Sequence, residues 1–141
     1  MIEGYYDQRG RPRVRATISF PNSPLQAPVN FLISTAAAAT AIPESAARDL
    51  GQTQQKGPTQ EVILLGATLP CRRQWLALHF TNHTNGNIER HVCAAIAPDQ
   101  SWPEVTPPVL GRDLLQDMQV TFHPARGQVL LYPNTDPDRR D

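Results

Sequence analysis

The segment from Pro28 to Ile42 restricts the possible folds of this chain more than any other part of the sequence. The apolar residues Phe31-Leu32-Ile33 predict a buried strand, and small residues follow without interruption from Ser34 to Ala41. Apolar character then returns at Ile42. The sequence therefore predicts an apolar strand, a tight turn of small residues and a second apolar segment.

The composition favours a single all-β domain. A length of 141 residues suits one domain with its own core, and the 14 prolines and 8 glycines are spread along the chain. Such a spread favours many short strands and turns over long helices. The 13 basic and 13 acidic residues give a net charge of zero, so the charge gives no reason to expect a nucleic-acid partner.

The sequence contains no stretch that approaches the roughly 18 to 20 apolar residues of a membrane helix, and its first residues lack the pattern of a secretory leader. We therefore expect a cytoplasmic protein with no membrane partner. In a reducing compartment, Cys71 and Cys93 are expected to be buried or half-buried thiols.

Three further segments have the patterns of strands. Residues 13–20 alternate between polar and apolar side chains, so we expect one buried face and one solvated face that carries the arginines. Residues 75–80 and 88–96 are predicted to form two more strands. The Asn85-Gly86 pair between these two is the strongest short signal for a hairpin.

Two short helices and a last hairpin are also predicted. Pro43 and Gly51 frame a helix of about two turns, because proline fits a first helical position and glycine fits a left-handed helix end. Residues 113–118 are expected to form the second helix. Residues 119–122 and 128–132 predict a hairpin.

The segment of residues 31–37 resembles the active-site segment of the retropepsin-like aspartic proteases, in which an apolar strand runs into Asp-Thr/Ser-Gly-Ala. Ser34 stands where this family has its catalytic Asp, and Thr35 matches the family Thr. Ala36 replaces the glycine, and Ala37 matches the alanine. The resemblance thus assigns the catalytic positions to Ser34, Thr35 and Ala36, with the defining carboxylate missing.

A second segment carries the same resemblance. Leu110-Gly111-Arg112, followed by Asp113, is similar to the Leu-Gly-Arg segment that opens the helix behind the active-site turn in this family. The two segments imply a single-lobed, bacterial-type retropepsin-like domain over residues 1–132 and a polar, disordered tail over residues 133–141. The implied fold is a closed all-β barrel with one or two short helices.

The resemblance also implies partners. The chain contains one copy of the active-site turn, so a second subunit would complete the site in a two-fold symmetric homodimer. A peptide or protein segment would lie in the cleft. Its contacts would include Ala37 and Ala38 of the turn, together with Gly66 and Ala67 of a short or stiff flap hairpin. No cofactor or metal is implied.

Peptide hydrolysis by this family needs two carboxyl groups that share one proton across the dimer axis. The Ser34 hydroxyl cannot supply that charge, and the sequence has no Asp or Glu between Gln8 and Pro43. Glu44 and Asp113 belong to helix starts, and we expect neither to replace the missing acid. The sequence thus indicates an endopeptidase domain that is inactive as written, either a natural pseudoprotease or a disabled protease.

Other functions stay open. The first alternative is a dimeric peptide-binding or regulatory module that holds an extended segment in the same cleft by strand addition. A serine hydrolase is less favoured, because the sequence has no Gly-x-Ser-x-Gly motif and no motif that places a histidine beside the turn. A zinc site is equally weak without a Cys-x-x-Cys pair. The residues available to these sites are Cys71, His79, His83, His91, Cys93 and His123.

Two departures from the family pattern lead to structural expectations. The methyl group of Ala36 is expected to displace the turn or to shift its backbone angles, because the family has glycine there. Retroviral members also carry an acid just past the turn that pairs with the arginine matching Arg112. Alanines occupy that region here, so Arg112 is expected to pair with Glu3 or Asp7 instead.

Overall fold

The computed structural model describes residues 1–21, 23–51, 58–82 and 86–134. In those ranges ten strands and two α-helices follow one another. The strands are β1 Ile2–Tyr6, β2 Pro12–Ser19, β3 Gln26–Ile33, β4 Ala41–Pro43, β5 Gln60–Leu64, β6 Ala67–Asn82, β7 Gly86–Ala97, β8 Val109–Leu110, β9 Met118–His123 and β10 Gln128–Pro133. The helices are α1 Glu44–Asp49 and α2 Arg112–Leu115.

Six of these strands close into a barrel. They follow the order β6-β7-β4-β8-β3-β2, and β2 pairs back onto β6 with Ile18 opposite Leu78. The pairs β3–β8 and β4–β7 are parallel, whereas the β2–β3 and β6–β7 pairs are antiparallel. Strands β1, β10 and β9 continue the sheet beyond β2, and β5 extends it beyond β6. The predicted closed all-β barrel with two short helices is confirmed.

The main core lies inside this barrel. The alternation predicted for residues 13–20 is confirmed, because Val14, Ala16, Ile18 and Phe20 are all buried. Burial of a large apolar side chain contributes about 1.5–3 kcal/mol, so these contacts dominate the stability of the barrel. The other fully buried large side chains include Phe31, Ile42, Leu76, Leu78, Phe80, Ile96 and Leu110.

The solvated arginine face is only partly as predicted. Arg15 is exposed, but the Arg13 side chain is only 16 % exposed. Its guanidinium bonds the carboxylate of Asp7 at 3.0 Å and the carbonyl oxygen of Asn30 at 2.7 Å. Arg13 therefore belongs to a charged contact between β1, β2 and β3, because the neighbouring loop supplies an acid that strand alternation does not reveal.

The two helices differ in how well they were predicted. Helix α1 follows Pro43 and is closed by Gly51, which has φ +81°, as expected. Helix α2 covers only Arg112–Leu115 and not residues 113–118. It is shorter because Met118 already pairs with Pro133 as the first residue of β9. The chain must therefore leave the helix within two residues of Leu115.

Strand β1 was not predicted, because its sequence has few aliphatic residues. Its inward positions are Ile2 and Gly4, and both are buried. A Cβ atom at Gly4 would lie 2.4 Å from the carbonyl oxygen of Arg13, so glycine permits the close approach of β1 to β2. Because glycine occupies the second inward position, residues 2–6 lack the alternation of large apolar side chains that identifies a strand.

The predicted hairpins are present. β6 and β7 pair antiparallel up to Asn82 opposite Gly86, while residues 83–85 of their turn lie outside the described residues. β9 and β10 pair around Gly127, which has φ +65°. β10 extends to Pro133, and the remainder of the predicted tail, residues 135–141, also lies outside the described residues. Within the described ranges no helix has the length and apolar character needed to cross a membrane.

Candidate active site

Ser34 is held at the end of β3 by the neighbouring strand β8. The Leu32 amide donates to the carbonyl oxygen of Pro108 at 2.8 Å, and the Ser34 amide donates to that of Leu110 at 3.1 Å. Ser34 is buried, at 8 % exposure. Its hydroxyl makes no hydrogen bond to another described residue, so the position is fixed through the backbone.

Some of the small residues after Ser34 face the protein interior and others face solvent. Thr35, Ala36 and Ala38 are exposed, whereas Ala37 and Ala39 are buried. Among the described non-glycine residues, only Leu65 and Val105 have a positive φ. Ala36 therefore lies outside the left-handed region, and its methyl group adds no backbone strain of that kind. The exposed residues form one face of the turn, which we call the front face.

Gly111 is required where the second signature segment meets the turn. A Cβ atom built at Gly111 would lie 2.5 Å from the carbonyl carbon of Ala39 and 2.9 Å from the carbonyl oxygen of Ala37. These are backbone atoms, which cannot rotate away as a side chain can. The glycine in Leu-Gly-Arg therefore allows α2 to pack directly against the back of the turn.

Arg112 holds the turn from behind but does not bond the predicted acids. Its amide donates to the carbonyl oxygen of Ala37 at 2.8 Å, and its Nη1 donates to that of Thr35 at 3.1 Å. The Asp7 carboxylate bonds Arg11 and Arg13 instead. The expected pairing of Arg112 with Glu3 or Asp7 was wrong, because carbonyl oxygens of the turn itself lie within reach of the guanidinium.

A side-chain contact that sequence reasoning missed joins Thr40 to Asp113. The Thr40 hydroxyl donates to Asp113 Oδ1 at 2.8 Å, and the Thr40 amide donates to Oδ2 at 2.9 Å. The same hydroxyl accepts a hydrogen bond from the Gly111 amide at 3.2 Å. Thr40 is fully buried. We call Thr40, Gly111, Arg112 and Asp113 the rear clamp of the turn.

Both acids considered as replacements for the missing carboxylate have other partners. Asp113 accepts the bonds from Thr40 and a further one from the Leu114 amide at 2.9 Å. Glu44 is buried at the start of α1, where its carboxylate pairs with Arg72 at 3.1 Å. The Asp113 carboxylate thus links α2 to the site turn, and the Glu44 carboxylate links α1 to β6.

The predicted flap is the hairpin of β5 and β6, with Leu65 and Gly66 as its two-residue turn. Both turn residues have positive φ, +49° and +84°, which matches the right-handed twist of the two strands. Gly66 is exposed and Ala67 is half-buried. The inner side of the hairpin belongs to a second apolar cluster that includes the site turn. Its members are Leu32, Ala37, Ala39, Ala41, Val62, Leu64, Leu69, Cys71, Ala95, Ala97 and Val109, with Ala67 and Trp102 packed against them.

The histidines with described positions lie on strands. His79 on β6 and His91 on β7 flank Glu89, with contacts of 3.3 and 3.0 Å to its carboxylate. The hydrogen bond from His91 is the main cause that lowers the pKa of Glu89. His123 ends β9, and His83 lies outside the described residues. The structure therefore brings none of the described histidines into a hydrogen bond with Ser34.

Neither cysteine takes part in a described metal site. Among the described residues no group of three or more histidine, cysteine or acidic side chains is placed to hold a metal ion. Cys71 is buried and Cys93 is half-buried, and both are free thiols. Burial raises the pKa of the Cys71 thiol, which keeps it protonated and unreactive near neutral pH.

Comparison with known proteins gives a structural likeness only. No protein-family model and no curated protein matches the chain. A retropepsin-like aspartic protease from Rickettsia conorii superposes over 93 % of this chain and 89 % of its own, with a TM-score of 0.55 and 14 % identity. EIAV protease, in a complex with the inhibitor HBY-793, matches over 79 % of this chain and 91 % of its own, with a TM-score of 0.47 and 20 % identity.

The likeness to the Rickettsia protein agrees with the barrel architecture described above. It extends over nearly the whole length of both chains, so it concerns the complete architecture and not an isolated motif. The chain has the fold of the retropepsin-like aspartic proteases.

Proposed function

We propose that this chain is a retropepsin-like endopeptidase domain that has no peptidase activity as written. The proposal rests on the resemblance of residues 31–37 to the active-site segment of this family, which puts Ser34, at the end of β3, in the position of the acid. A hydroxyl does not ionise near neutral pH and cannot activate water as one member of a carboxyl pair does.

The surroundings of the turn support this proposal. The Asp113 carboxylate accepts hydrogen bonds from Thr40 and from the Leu114 amide, and the Glu44 carboxylate forms an ion pair with Arg72. Moving either carboxylate to the front face would break a part-buried contact and leave its partner unsatisfied. The residues that hold the turn from behind make their hydrogen bonds. The proposed loss of activity therefore concerns the missing carboxyl group and not the residues that position it.

The proposed assembly is a two-fold symmetric homodimer that meets at the front face. Thr35, Ala36 and Ala38 are exposed in the single chain, and a short turn of small residues allows a second copy to approach closely. A chain with one site turn can complete a two-sided cleft only with a second copy.

Restoring the acid tests the proposal. The double variant Ser34→Asp with Ala36→Gly should cleave unstructured peptides, with a rate that rises toward acidic pH as the carboxyl pair shares one proton. The matched control is Ser34→Asn with Ala36→Gly, which has the same shape but no titrating group. A folded, dimeric Ser34→Asp variant that leaves every peptide intact would count against a disabled protease site.

A second candidate function is the binding of an extended peptide without cleavage. It is favoured by the flap, whose outer strand β5 carries exposed Ile63, at 65 % exposure, and ends next to exposed Leu65. β5 pairs only with β6 in the described sheet, so its other edge is open for strand addition. Fluorescence anisotropy of labelled peptides tests this. The native chain should bind, and Ile63→Asp, which changes an exposed side chain, should weaken binding.

A further inference from the structure

Strands β2, β6 and β7 present one side to the barrel core and the other side to the outside. Leu76, Leu78 and Phe80 of β6 point into the core and are buried. Successive side chains of a strand point to opposite sides of its sheet, so the odd-numbered residues of this part of β6 point outward. We call the odd-numbered residues 73–81 of β6, 87–93 of β7 and 15–19 of β2 the outer barrel face. This face shares no residue with the site turn, the rear clamp or the flap turn.

A tryptophan stands out on the outer barrel face. Trp75 is 58 % exposed, more than any other described phenylalanine, tyrosine or tryptophan. Ala77, the next outward residue of β6, is small and buried, so it leaves the surface open beside the indole ring. Tryptophan is enriched among the residues that dominate binding energy, because covering its ring removes a large apolar area from water. Trp75 is therefore a suitable anchor for a partner.

Beside Trp75, the guanidinium of Arg73 is held in a fixed position. Its Nε and Nη2 donate to the carbonyl oxygen of Cys93 at 3.0 and 2.6 Å. Cys93 lies directly opposite Trp75 in the β6–β7 pair. Arg73 Nη1 makes no hydrogen bond to another described residue. A guanidinium that is already fixed loses little freedom when it binds a carboxylate, so this end of the face suits an acidic group next to an apolar one.

The other end of the outer barrel face contains two adjoining depressions. Their volumes are about 190 and 290 Å³, and both are lined by the polar residues Thr17, His79 and Thr81. Arg15 lines the smaller depression, and its exposed guanidinium has no hydrogen bond or ion pair with another described residue. Glu3 of β1 borders the same depression and accepts a hydrogen bond from Gln128 at 3.4 Å. This end therefore offers an open cation and two hydroxyl groups to an acidic side chain.

The charges of the outer barrel face favour an acidic partner. Its only acid in the described ranges is Glu89, whose carboxylate oxygens contact His79 at 3.3 Å and His91 at 3.0 Å. Both oxygens of Glu89 thus have partners within the face, whereas the guanidinium groups of Arg15 and Arg73 are open to other molecules. Open guanidinium groups bind carboxylates through charge-assisted hydrogen bonds and disfavour basic partners.

The positions of the two arginines indicate the shape of this partner. Arg15 lines the same depression as Thr81, and Thr81 lies eight residues beyond Arg73 on β6. At about 3.3 Å per residue the two ends are roughly 26 Å apart, which about eight residues of extended chain would span. We infer that the outer barrel face binds an extended, acidic segment of a partner protein, with an apolar side chain over Trp75 and carboxylates at Arg73 and Arg15. This contact is separate from the peptide binding proposed for the flap.

A labelled peptide of glutamate, serine and one phenylalanine, of about this length, is the probe. Fluorescence anisotropy measures its dissociation constant for the native chain, and a peptide with lysine in place of glutamate is the control. The acidic peptide should bind, its affinity should fall as salt is added, and the lysine peptide should bind at least about tenfold more weakly. Equal binding of the two peptides, or no binding of the acidic one, overturns the inference.

Matched variants locate the bound peptide. Trp75→Ala should raise the dissociation constant by at least about tenfold, and Arg73→Gln or Arg15→Gln by about threefold to tenfold. The controls are Tyr132→Ala, at an aromatic residue that is 41 % exposed on β10, and Arg126→Gln, at an exposed arginine of the last hairpin. Each control should change the constant by less than about twofold. Unchanged binding by the two arginine variants overturns the inference even if Trp75→Ala fails to fold.

Two further measurements separate this surface from other sites and partners. Ile63→Ser at the flap should leave binding of the acidic peptide unchanged. Weakening by Ile63→Ser alone would place the peptide at the flap and overturn the inference without affecting the function proposed above. A single-stranded oligonucleotide should bind more weakly than the acidic peptide. Tighter binding of the oligonucleotide that is lost in Trp75→Ala and Arg73→Gln would contradict the assigned class of partner.

Discussion

The back and the front of the site turn are built from different chemistry. At the back, the rear clamp joins Thr40, Gly111, Arg112 and Asp113 to the turn through hydrogen bonds and one close backbone contact. At the front, Thr35, Ala36 and Ala38 expose a hydroxyl and two methyl groups. The back of the turn is therefore fixed by specific contacts, while its front carries only small exposed side chains.

This difference predicts that substitutions at the back destabilise the fold, while substitutions at the front do not. The largest effect is expected at Gly111, because its Cβ would overlap the backbone of Ala37 and Ala39. Gly111→Ala should lower the free energy of unfolding by at least about 3 kcal/mol. Urea denaturation followed by circular dichroism measures this change.

The matched control for Gly111→Ala is Gly127→Ala. Gly127 has φ +65° but no atom within 4 Å of a built Cβ, so only the backbone preference is lost. That cost is about 1 kcal/mol. Equal losses for the two variants would show that the close contact at the back of the turn contributes nothing.

The next largest effect is expected at Asp113. Asp113→Ala would leave the amide and the hydroxyl of fully buried Thr40 without their acceptor, at a cost of about 2–3 kcal/mol. Asp49→Ala, at an exposed position of α1, should change stability by less than about 0.5 kcal/mol. If both variants were equally stable, the clamp would have no structural role.

Acid should weaken the contact among β1, β2 and β3. Hydrogen bonds from the Arg11 amide and from the guanidinium groups of Arg13 and Arg11 lower the pKa of Asp7 well below its ordinary value. A lowered folded-state pKa stabilises the fold above the unfolded pKa of about 4 and loses that contribution as pH falls below it.

The measurement is the urea midpoint between about pH 5 and 2. The native chain should lose stability over this range, and Asp7→Asn should show a smaller loss because one linked proton is removed. The pKa of Asp99 is also lowered, chiefly by the Ser45 amide, so some acid sensitivity should persist in the variant. An identical pH profile for both chains would contradict the assigned role of Asp7.

The smallest effect is expected at the front face. Thr35→Ala, in a chain dilute enough to be monomeric, should alter stability by less than about 0.5 kcal/mol because the side chain is exposed. Thr40→Ala, the same change at the buried threonine, should cost about 1–3 kcal/mol. A large loss for Thr35→Ala would remove the distinction between the two faces of the turn.

The sequence predicted the parts of the fold that depend on local patterns. Strict alternation in residues 13–20 identified β2, and the turn glycine Gly127 identified the last hairpin. β1 was missed because buried Gly4 replaces an apolar side chain. The length of α2 was overestimated because strand pairing of Met118 with Pro133 overrides the helical spacing.

The sequence predicted the parts of the candidate site that carry a recognisable motif. It did not predict the part that depends on a contact between residues far apart in the chain. The order of the small-residue turn and Leu110-Gly111-Arg112 was readable from the sequence. The bonds between Thr40 and Asp113 join residues 73 positions apart, and one threonine within a run of alanines gives no sign of its partner. The only signal in the sequence was Thr40 itself, a polar residue between Ala39 and Ala41 just before the apolar residue Ile42.

The most direct test of the account is whether the native chain hydrolyses peptides. It is incubated with a peptide library at pH 4 to 7, and the products are identified by mass spectrometry. We predict that every peptide remains intact, while Ser34→Asp with Ala36→Gly releases fragments under the same conditions. Cleavage by the native chain that disappears in Ser34→Ala would contradict the account, because the Ser34 hydroxyl would then be catalytic.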